Sequence, residues 1–468
     1  MASRLLEVAI LAAGQGRRMR SALPKVLHPV AGRPMVGYVL DAVQALRPDR
    51  IVVIVGYQAD RVRSFLGEGV TYAHQEAQLG TAHALLAARD ALGRGEADLL
   101  VVYGDVPLVR PATLASLLDR HRATGAAATV LTTVLDDPSG YGRVIRDPTT
   151  GRVLRIVEDA DADADERAVR EINTGIYVFA APAIFGYLET LAPANRQGEF
   201  YLVDVVAPLL RDGRVVETLS APDPGEAEGV NSRVQLARAE AAKRAEILAG
   251  LMASGTTVVD PPSTFVDWGV AVGPDTILEP GTILRGRTTV GAGCSIGPHS
   301  YVEDSVVGDG CRVWMSVVEG SRLEAGAAVG PFSHLRPGTI VGERARVGNY
   351  AELKNSRVGR GAKIQHHSYV GDAVVGPEAN IGAGAVVVNY DGRAKHETSI
   401  GAGAFIGCNT NLVAPVAVGD GAYTAAGSTV TRNVPPGALA VSRLRQETIE
   451  GWVERRRPGT VSARAARA

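Results

Sequence analysis

A hydrophobic residue returns every six positions along the second half of the chain. Val272, Leu278, Leu284, Val290, Ile296 and Val302 fall six apart, as do Val329, Leu335, Val341, Val347 and Leu353, and later Ile400, Ile406, Leu412 and Val418. Four residues after most of these sits a small side chain: Thr276, Thr282, Thr288, Cys294, Ser300, Ser333, Thr339, Ala345, Ala351, Ala404 and Thr410. A branched apolar residue alternating with a small one fills the corners and flats of a narrow triangular prism. The glycine that often follows the apolar residue permits the corner turn. The spacing predicts a hexapeptide parallel β-helix, three short strands to a coil. From about Thr256 to Val430 this gives roughly ten coils and a prism ~45 Å tall at ~4.8 Å per coil.

The first half follows another rule. Only 23 of the 54 glycines lie in residues 1–255, although that part is the longer one. Compact apolar runs at Val8–Ala12, Ile51–Val55, Leu99–Tyr103 and Ile176–Phe179 read as buried strands. Amphipathic stretches such as Met35–Leu46 and Thr113–His121 read as the helices between them. This alternation predicts an open, mainly parallel sheet with helices on both faces, whose ligands bind beyond the carboxyl ends of the strands. Glu226–Met252, rich in Ala, Arg, Glu and Leu, reads as a long connecting helix that Pro261-Pro262 follows. The domain expectation is therefore 1–233, a linker helix over 234–255, a β-helix over 256–445 and a tail over 446–468. The acidic run Ala160–Glu166 reads as a solvated loop and the basic Arg455–Arg457 as a disordered end.

Composition removes several classes of function. Lys and Arg total 49 against 50 Asp and Glu, a balance that suits neither nucleic-acid coating nor an anionic membrane surface. No apolar run approaches the ~20 residues of a membrane helix. Three cysteines without a CxxC pair exclude a disulfide scaffold and a Cys-rich zinc site. The default setting is cytoplasmic.

Chemistry concentrates in two places. Behind the first strand run Gly14-Gln15-Gly16-Arg17-Arg18, with Lys25 close by. Glycines there let backbone N–H groups approach a phosphate while Arg18 and Lys25 supply charge, which points to a triphosphate rather than a merely structural turn. Asp105, ending the apolar run to Tyr103, reads as a helix N-cap or as a hard oxygen ligand for Mg2+. In the β-helix, polar residues out of the hexad pattern cluster: Arg336, Glu352, Lys354, His366, Tyr369 and Asn380, with Lys395 in a loop, Asn389–Ser399, that breaks the repeat. Three cations on one side of a prism suit a phosphate-bearing substrate, and an imidazole suits deprotonation of an attacking amine. His366 and His367 are adjacent, so residue chemistry alone leaves the choice between them open. Zinc is the competing reading, which the spacing of His334, His366, His367 and His396 does not favour.

The ordered motifs LAAGxGxRM, PKVLH, QLGTAHA, YGDVPL, GYGRV, INTGI and EGVN resemble the sugar-1-phosphate nucleotidyltransferases. Joined to a left-handed hexapeptide β-helix, they resemble the bacterial bifunctional N-acetylglucosamine-1-phosphate uridyltransferase/glucosamine-1-phosphate acetyltransferase family over about residues 5–445. The resemblance implies a homotrimer using UTP, acetyl-CoA, glucosamine 1-phosphate and Mg2+. It implies uridine-nucleotide contacts from Leu11, Ala12, Ala13, Gly14, Gln75, Gly80, Thr81, Tyr103 and Gly104, with Arg18 and Lys25 acting on the phosphates. Gly142, Glu158 and Asn173 would line the sugar pocket, and Asp105 and Asn231 would share Mg2+. On the β-helix it selects His366 as general base. Arg336, Glu352, Lys354, Tyr369, Asn380 and Lys395 would surround glucosamine 1-phosphate. Ala383, Asn389, Tyr390, Cys408, Ala426 and Arg443 would contact acetyl-CoA, Ala383 through a backbone N–H to the developing oxyanion. Three residues depart from the family's pattern: Gln15 in place of Lys, Arg17 in place of Thr, and Cys408 in place of Ser. Arg17 restores a cation, whereas a thiol is a weaker hydrogen-bond partner than a hydroxyl. Two rival functions are a nucleotidyltransferase whose β-helix is only a scaffold, and a non-catalytic nucleotide-sugar sensor.

Overall fold

A computed structural model describes residues 4–92, 95–193 and 195–468. Two compact units result, one of residues 1–249 with 266–268, the other of 250–265 with 269–468.

In the first unit, strand Leu5–Ala12 sits between Ala97–Tyr103 and Arg50–Val55, parallel to both, and Thr71–His74 adds at the edge. Its side chains alternate between two cores. Val8 and Ile10 pack with Val36, Val39 and Val43 of helix Met35–Gln44 and with Leu114 and Leu117 of helix Pro111–Thr124. Ala9 and Leu11 pack with Leu85, Ile184 and Phe185 on the other face. Burial on both sides explains the unbroken apolar runs. One strand departs from the parallel expectation: Glu171–Ala181, which contains the run Ile176–Phe179, is antiparallel to Ala97–Tyr103 and to Ala128–Val134. Its early residues also pair with Gly142–Arg146, which brings the GYGRV segment to the sheet.

The connecting helix is Arg233–Ala253, starting later than the sequence suggested. Glu226 lies instead in a 3-10 turn, Pro224–Ala227. Ser232 Oγ accepts from the Gln235 amide at 3.2 Å and Gln235 Oε1 accepts from the Asn231 amide at 2.9 Å. These reciprocal bonds cap the helix and hold Asn231 just outside it. Two further readings are corrected. Within Ala160–Glu166, Asp163 and Glu166 form a capping box on the short helix Ala164–Arg167, and Glu166 is buried against Arg155. Arg455 and Arg456 belong to a short helix, Trp452–Arg456, with the Arg457 guanidinium 5.2 Å from the Trp452 ring centre.

The second unit is a parallel β-helix of the left-handed hexapeptide class, with three sheets of 11, 10 and 9 short strands. Every hexad residue named above is buried, and residues one coil apart pair in register, as Leu278 does with Ile296 and Leu284 with Val302. Cys294 and Cys311 fill inward slots, and burial pushes the Cys311 thiol up to about 11. The sequence suggested glycine corners, yet along one corner Met315, Phe332, Tyr350, His367 and Asn409 take positive φ. Backbone bonds run coil to coil through that corner: Phe332 to Met315 at 2.7 Å, Tyr350 to Phe332 at 3.1 Å and His367 to Asn349 at 3.1 Å. Ring stacking accompanies the strain, with Phe332 on Tyr350 at 5.2 Å and Tyr350 on His367 at 4.9 Å. Among the described residues no helix is long and apolar enough to cross a membrane.

Since Leu335 is fully buried in the hexad core, Leu335→Ala should cost roughly 2–5 kcal/mol. Val306→Thr, on an outward position, should stay within about 0.5 kcal/mol; chemical denaturation compares the two.

Candidate active sites

At the carboxyl end of strand Leu5–Ala12 the chain turns into a cavity of about 480 Å³. Of the residues named for the nucleotide and its phosphates, Leu11 to Gly14, Lys25, Gln75, Gly80, Thr81, Tyr103 and Asp105 line it, and Gly104 does not. Gln15, Gly16, Arg17, Gln78, Gln197 and Glu199 line it too. Arg17 thus faces the cavity, whereas Arg18 is exposed outside its lining, where its charge acts on the Tyr141 phenol. Gly16 has φ +70°, and a Cβ there would meet Lys25 Cβ at 2.6 Å, so the lysine stem crosses the turn only because residue 16 is glycine. Among the described residues, its chain neighbours apart, nothing lies within 4 Å of a Cβ built on Gly14, which leaves that backbone open to a ligand. The Gly104 amide donates to Leu11 O at 2.9 Å and ties the two strand ends together.

Lys25 is the hub of this site. Its Nζ forms an ion pair with Asp105 Oδ2 and donates to Asn231 Oδ1 at 2.9 Å. Val230 N donates to Asp105 O at 2.9 Å, so the backbone also draws 230–231 onto the strand end. Two oxygens more than a hundred residues apart in sequence therefore converge on one positive charge.

The predicted sugar residues meet one another outside the lining of that cavity, and Glu158 lines a second one with Asp161, Tyr201 and Asp204. Asn173 pairs with Gly142 in the sheet, and a Cβ on Gly142 would lie 3.2 Å from Glu158 Oε1. Asn173 is buried and its Nδ2 donates to Tyr177 OH at 2.6 Å. Burial, with the charges of Asp204, Asp161 and Asp159, pushes Glu158 up to about 7 against the pull of Arg143.

On the β-helix, two groups form on two different sheets, Glu352 and Tyr369 on the 10-stranded one and His366 on the 11-stranded one. Arg336 Nη1 donates to Glu352 at 3.1 Å, and Glu352 pairs with Tyr369 one coil on. Tyr390 and Lys395 form an isolated antiparallel bridge, and the loop sets Lys395 against Lys354. The Lys395 ammonium, with Arg336 beyond it, holds Lys354 below the usual lysine range. Asp372 was not singled out in the sequence. It accepts from Asn355 at 2.7 Å and from Asn389 at 2.6 Å. Burial opposes ionisation of Asp372, but these bonds and the two lysines hold its carboxyl below the ordinary value. Its only sequence signal was position: a non-glycine residue at the turn after Gly371.

The second group follows the stacked corner. His366 is exposed, and its Nδ1 lies 2.7 Å from Asn349 Oδ1, another partner the sequence reading missed. Above it, Gly384 N bonds His366 O at 3.1 Å, Asn409 N bonds Ala383 O at 2.7 Å, and Gly427 N bonds Cys408 O at 2.8 Å. Ala383, Cys408 and Ala426 thus rise in one column from His366, and the Cys408 thiol is exposed. Asn380 lies on the same sheet as His366, between Lys363 and Phe405. Tyr390 OH turns to Gly392 O in its own loop at 2.7 Å, and Arg443 is exposed beyond the last strand, Leu439–Ala440.

A nucleotide-transferase sheet and a hexapeptide prism, each carrying its own polar cluster, define a two-headed transferase. Residues 8–200 match the MobA-like NTP transferase domain. The chain is 50% identical to the "Bifunctional protein GlmU" of Brevibacillus brevis over 94% of this chain and 95% of that one. It is 47% identical to the protein of the same name from Streptomyces avermitilis over 98% and 96%. The chain belongs to the bifunctional GlmU family, enzymes with uridylyltransferase and acetyltransferase activities.

For Glu158 the folded-state value of about 7 exceeds the ordinary 4.5. The folded protein therefore takes up this proton first, and the associated stability is full at low pH and lost as pH rises through 7. Glu158→Gln should accordingly raise stability at pH 8 by on the order of 2 kcal/mol. The gain should vanish towards pH 4.5, as read by thermal unfolding at both pH values.

Proposed function

We propose that the prism acetylates glucosamine 1-phosphate from acetyl-CoA and that the sheet domain then joins the product to uridylate from UTP, releasing pyrophosphate. The first reaction is assigned to residues 256–445, the second to 1–233. The observation that carries the reading is the pairing of Lys25 with both Asp105 and Asn231, at the mouth of a cavity whose Gly14 backbone lies open.

Two hard oxygens already gathered around a cation fit Mg2+, which needs few protein ligands. Asp105 and Asn231 would hold that ion, whose charge when bound offsets that of the triphosphate. Lys25 is then free to grip phosphate oxygens, and Arg17 supports it from the cavity wall. Leu11 to Gly14 and Gln75 seat the nucleotide, while Gly142, Glu158 and Asn173 seat the sugar. A sugar phosphate oxygen attacks the α-phosphorus in line and pyrophosphate leaves. No protein nucleophile is required, so orientation and charge neutralisation carry the rate.

At the prism, Arg336, Lys354 and Lys395 bind the phosphate of glucosamine 1-phosphate. The lowered affinity of Lys354 for its proton reflects crowding of like charges that an incoming dianion relieves. His366 takes the amine proton as nitrogen attacks the thioester carbonyl; the C–N bond forms, the C–S bond breaks and coenzyme A leaves. Acetyl-CoA lies along the column of Ala383, Cys408 and Ala426, with Asn389, Tyr390 and Arg443 at its margins. We assign a homotrimer, since flat prism faces pack naturally around a three-fold axis and Asn380 lies on a different sheet from the lysine cluster.

Asp105→Ala should lower uridyl transfer by at least ~100-fold and leave acetylation intact. His366→Ala should do the reverse, by ~100-fold or more. Separate pyrophosphate-release and thiol-release assays read the two; loss of both activities in either variant overturns the assignment. Cys408→Ser, which supplies the better hydrogen-bonding hydroxyl, should lower KM for acetyl-CoA by a few-fold without moving KM for UTP.

A further inference from the structure

Two polar residues of neighbouring coils are locked together at the stacked corner. Asn349 ends strand Arg346–Asn349 and His366 ends strand Lys363–His366. The two residues pair directly in the sheet. Behind them Val347 and Ile364 are buried in the hexad core. Ahead of them Tyr350 and His367 take the left-handed corner conformation, with their rings stacked 4.9 Å apart. His367 N donates to Asn349 O at 3.1 Å. Neither residue can slide along the prism without disturbing core and stack together. The side-chain contact between them, 2.7 Å from His366 Nδ1 to Asn349 Oδ1, is therefore set by the repeat itself.

We infer that Asn349 is a positioning residue for acetyl transfer: its amide oxygen takes the Nδ1–H of His366 and leaves Nε2 as the bare acceptor for the amine proton. A neutral imidazole carries one N–H, and the nitrogen holding it is decided by the partner of the other. An amide oxygen accepts the Nδ1–H without adding charge, so the ring is fixed in orientation and tautomer. A carboxylate at the same place would orient the ring equally well but would favour the imidazolium, which is inert as a base. The corner thus supplies a neutral orienting partner for the ring. The titratable neighbours on this corner are Tyr350 and His367, stacked on each other. The inference rests on the assignment of His366 as general base.

Three variants of the full chain separate the two claims. Asn349→Leu should reduce acetylation kcat by at least ~10-fold, with KM for glucosamine 1-phosphate within about twofold and uridyl transfer unchanged. Asn349→Asp should recover most of kcat at high pH, with the acidic limb of kcat/KM displaced upward by about one pH unit. A merely structural asparagine would not move that limb. If Asn349→Leu keeps kcat within twofold, or Asn349→Asp gives a profile superimposable on the parent, the positioning role is wrong while the base assignment stands. Should His366→Ala retain acetylation, the base assignment fails and takes the role of Asn349 with it. Uridyl transfer measured on each preparation reports that the chain has folded.

Discussion

Inward packing at every sixth residue is the constraint from which the proposed acetyl-transfer site follows. Once Leu335, Leu353 and their counterparts fill the prism interior, outward residues of successive coils have no freedom of register. Positions separated by a whole coil become vertical neighbours, and chemistry is assembled by stacking rather than by a folded pocket. Asn349 under His366, and Ala383, Cys408 and Ala426 above it, are such a column. Strain at the left-handed corner residues, roughly 1–2 kcal/mol each, is offset by the ring stack and the coil-to-coil backbone bonds.

The other site is organised by charge. Leu5–Ala12 and Ala97–Tyr103 end side by side because their apolar residues fill cores on both faces of the sheet. Their ends deliver a glycine turn and Asp105 to one spot. The capped start of helix Arg233–Ala253 then presents Asn231 from far along the chain. Lys25 bridges what the fold has gathered. Burial and the charges of Asp204, Asp161 and Asp159 push Glu158 up to about 7, in a second cavity of the same unit.

Much of this was legible in the residues. The hexad spacing announced the prism because no other arrangement tolerates so regular a sequence, and apolar runs located the four strands around the nucleotide cavity. Other features were hidden for physical reasons. The antiparallel course of Glu171–Ala181 leaves no trace in hydrophobicity, since a strand buried on both faces reads alike in either direction. The helix start slipped from Glu226 to Arg233 because side-chain caps, not propensity, decide it. Asn349 and Asp372 act only through partners one coil away, so nothing in their own segments distinguishes them from solvated polar residues.

The most direct test of a two-headed transferase follows carbon and phosphorus through one vessel. Pure protein is incubated with glucosamine 1-phosphate, acetyl-CoA, UTP and Mg2+, and products are weighed by mass spectrometry over time. The account predicts N-acetylglucosamine 1-phosphate first, then UDP-N-acetylglucosamine with one pyrophosphate and one coenzyme A per molecule. UDP-glucosamine formed without coenzyme A release would contradict it, leaving the prism a scaffold.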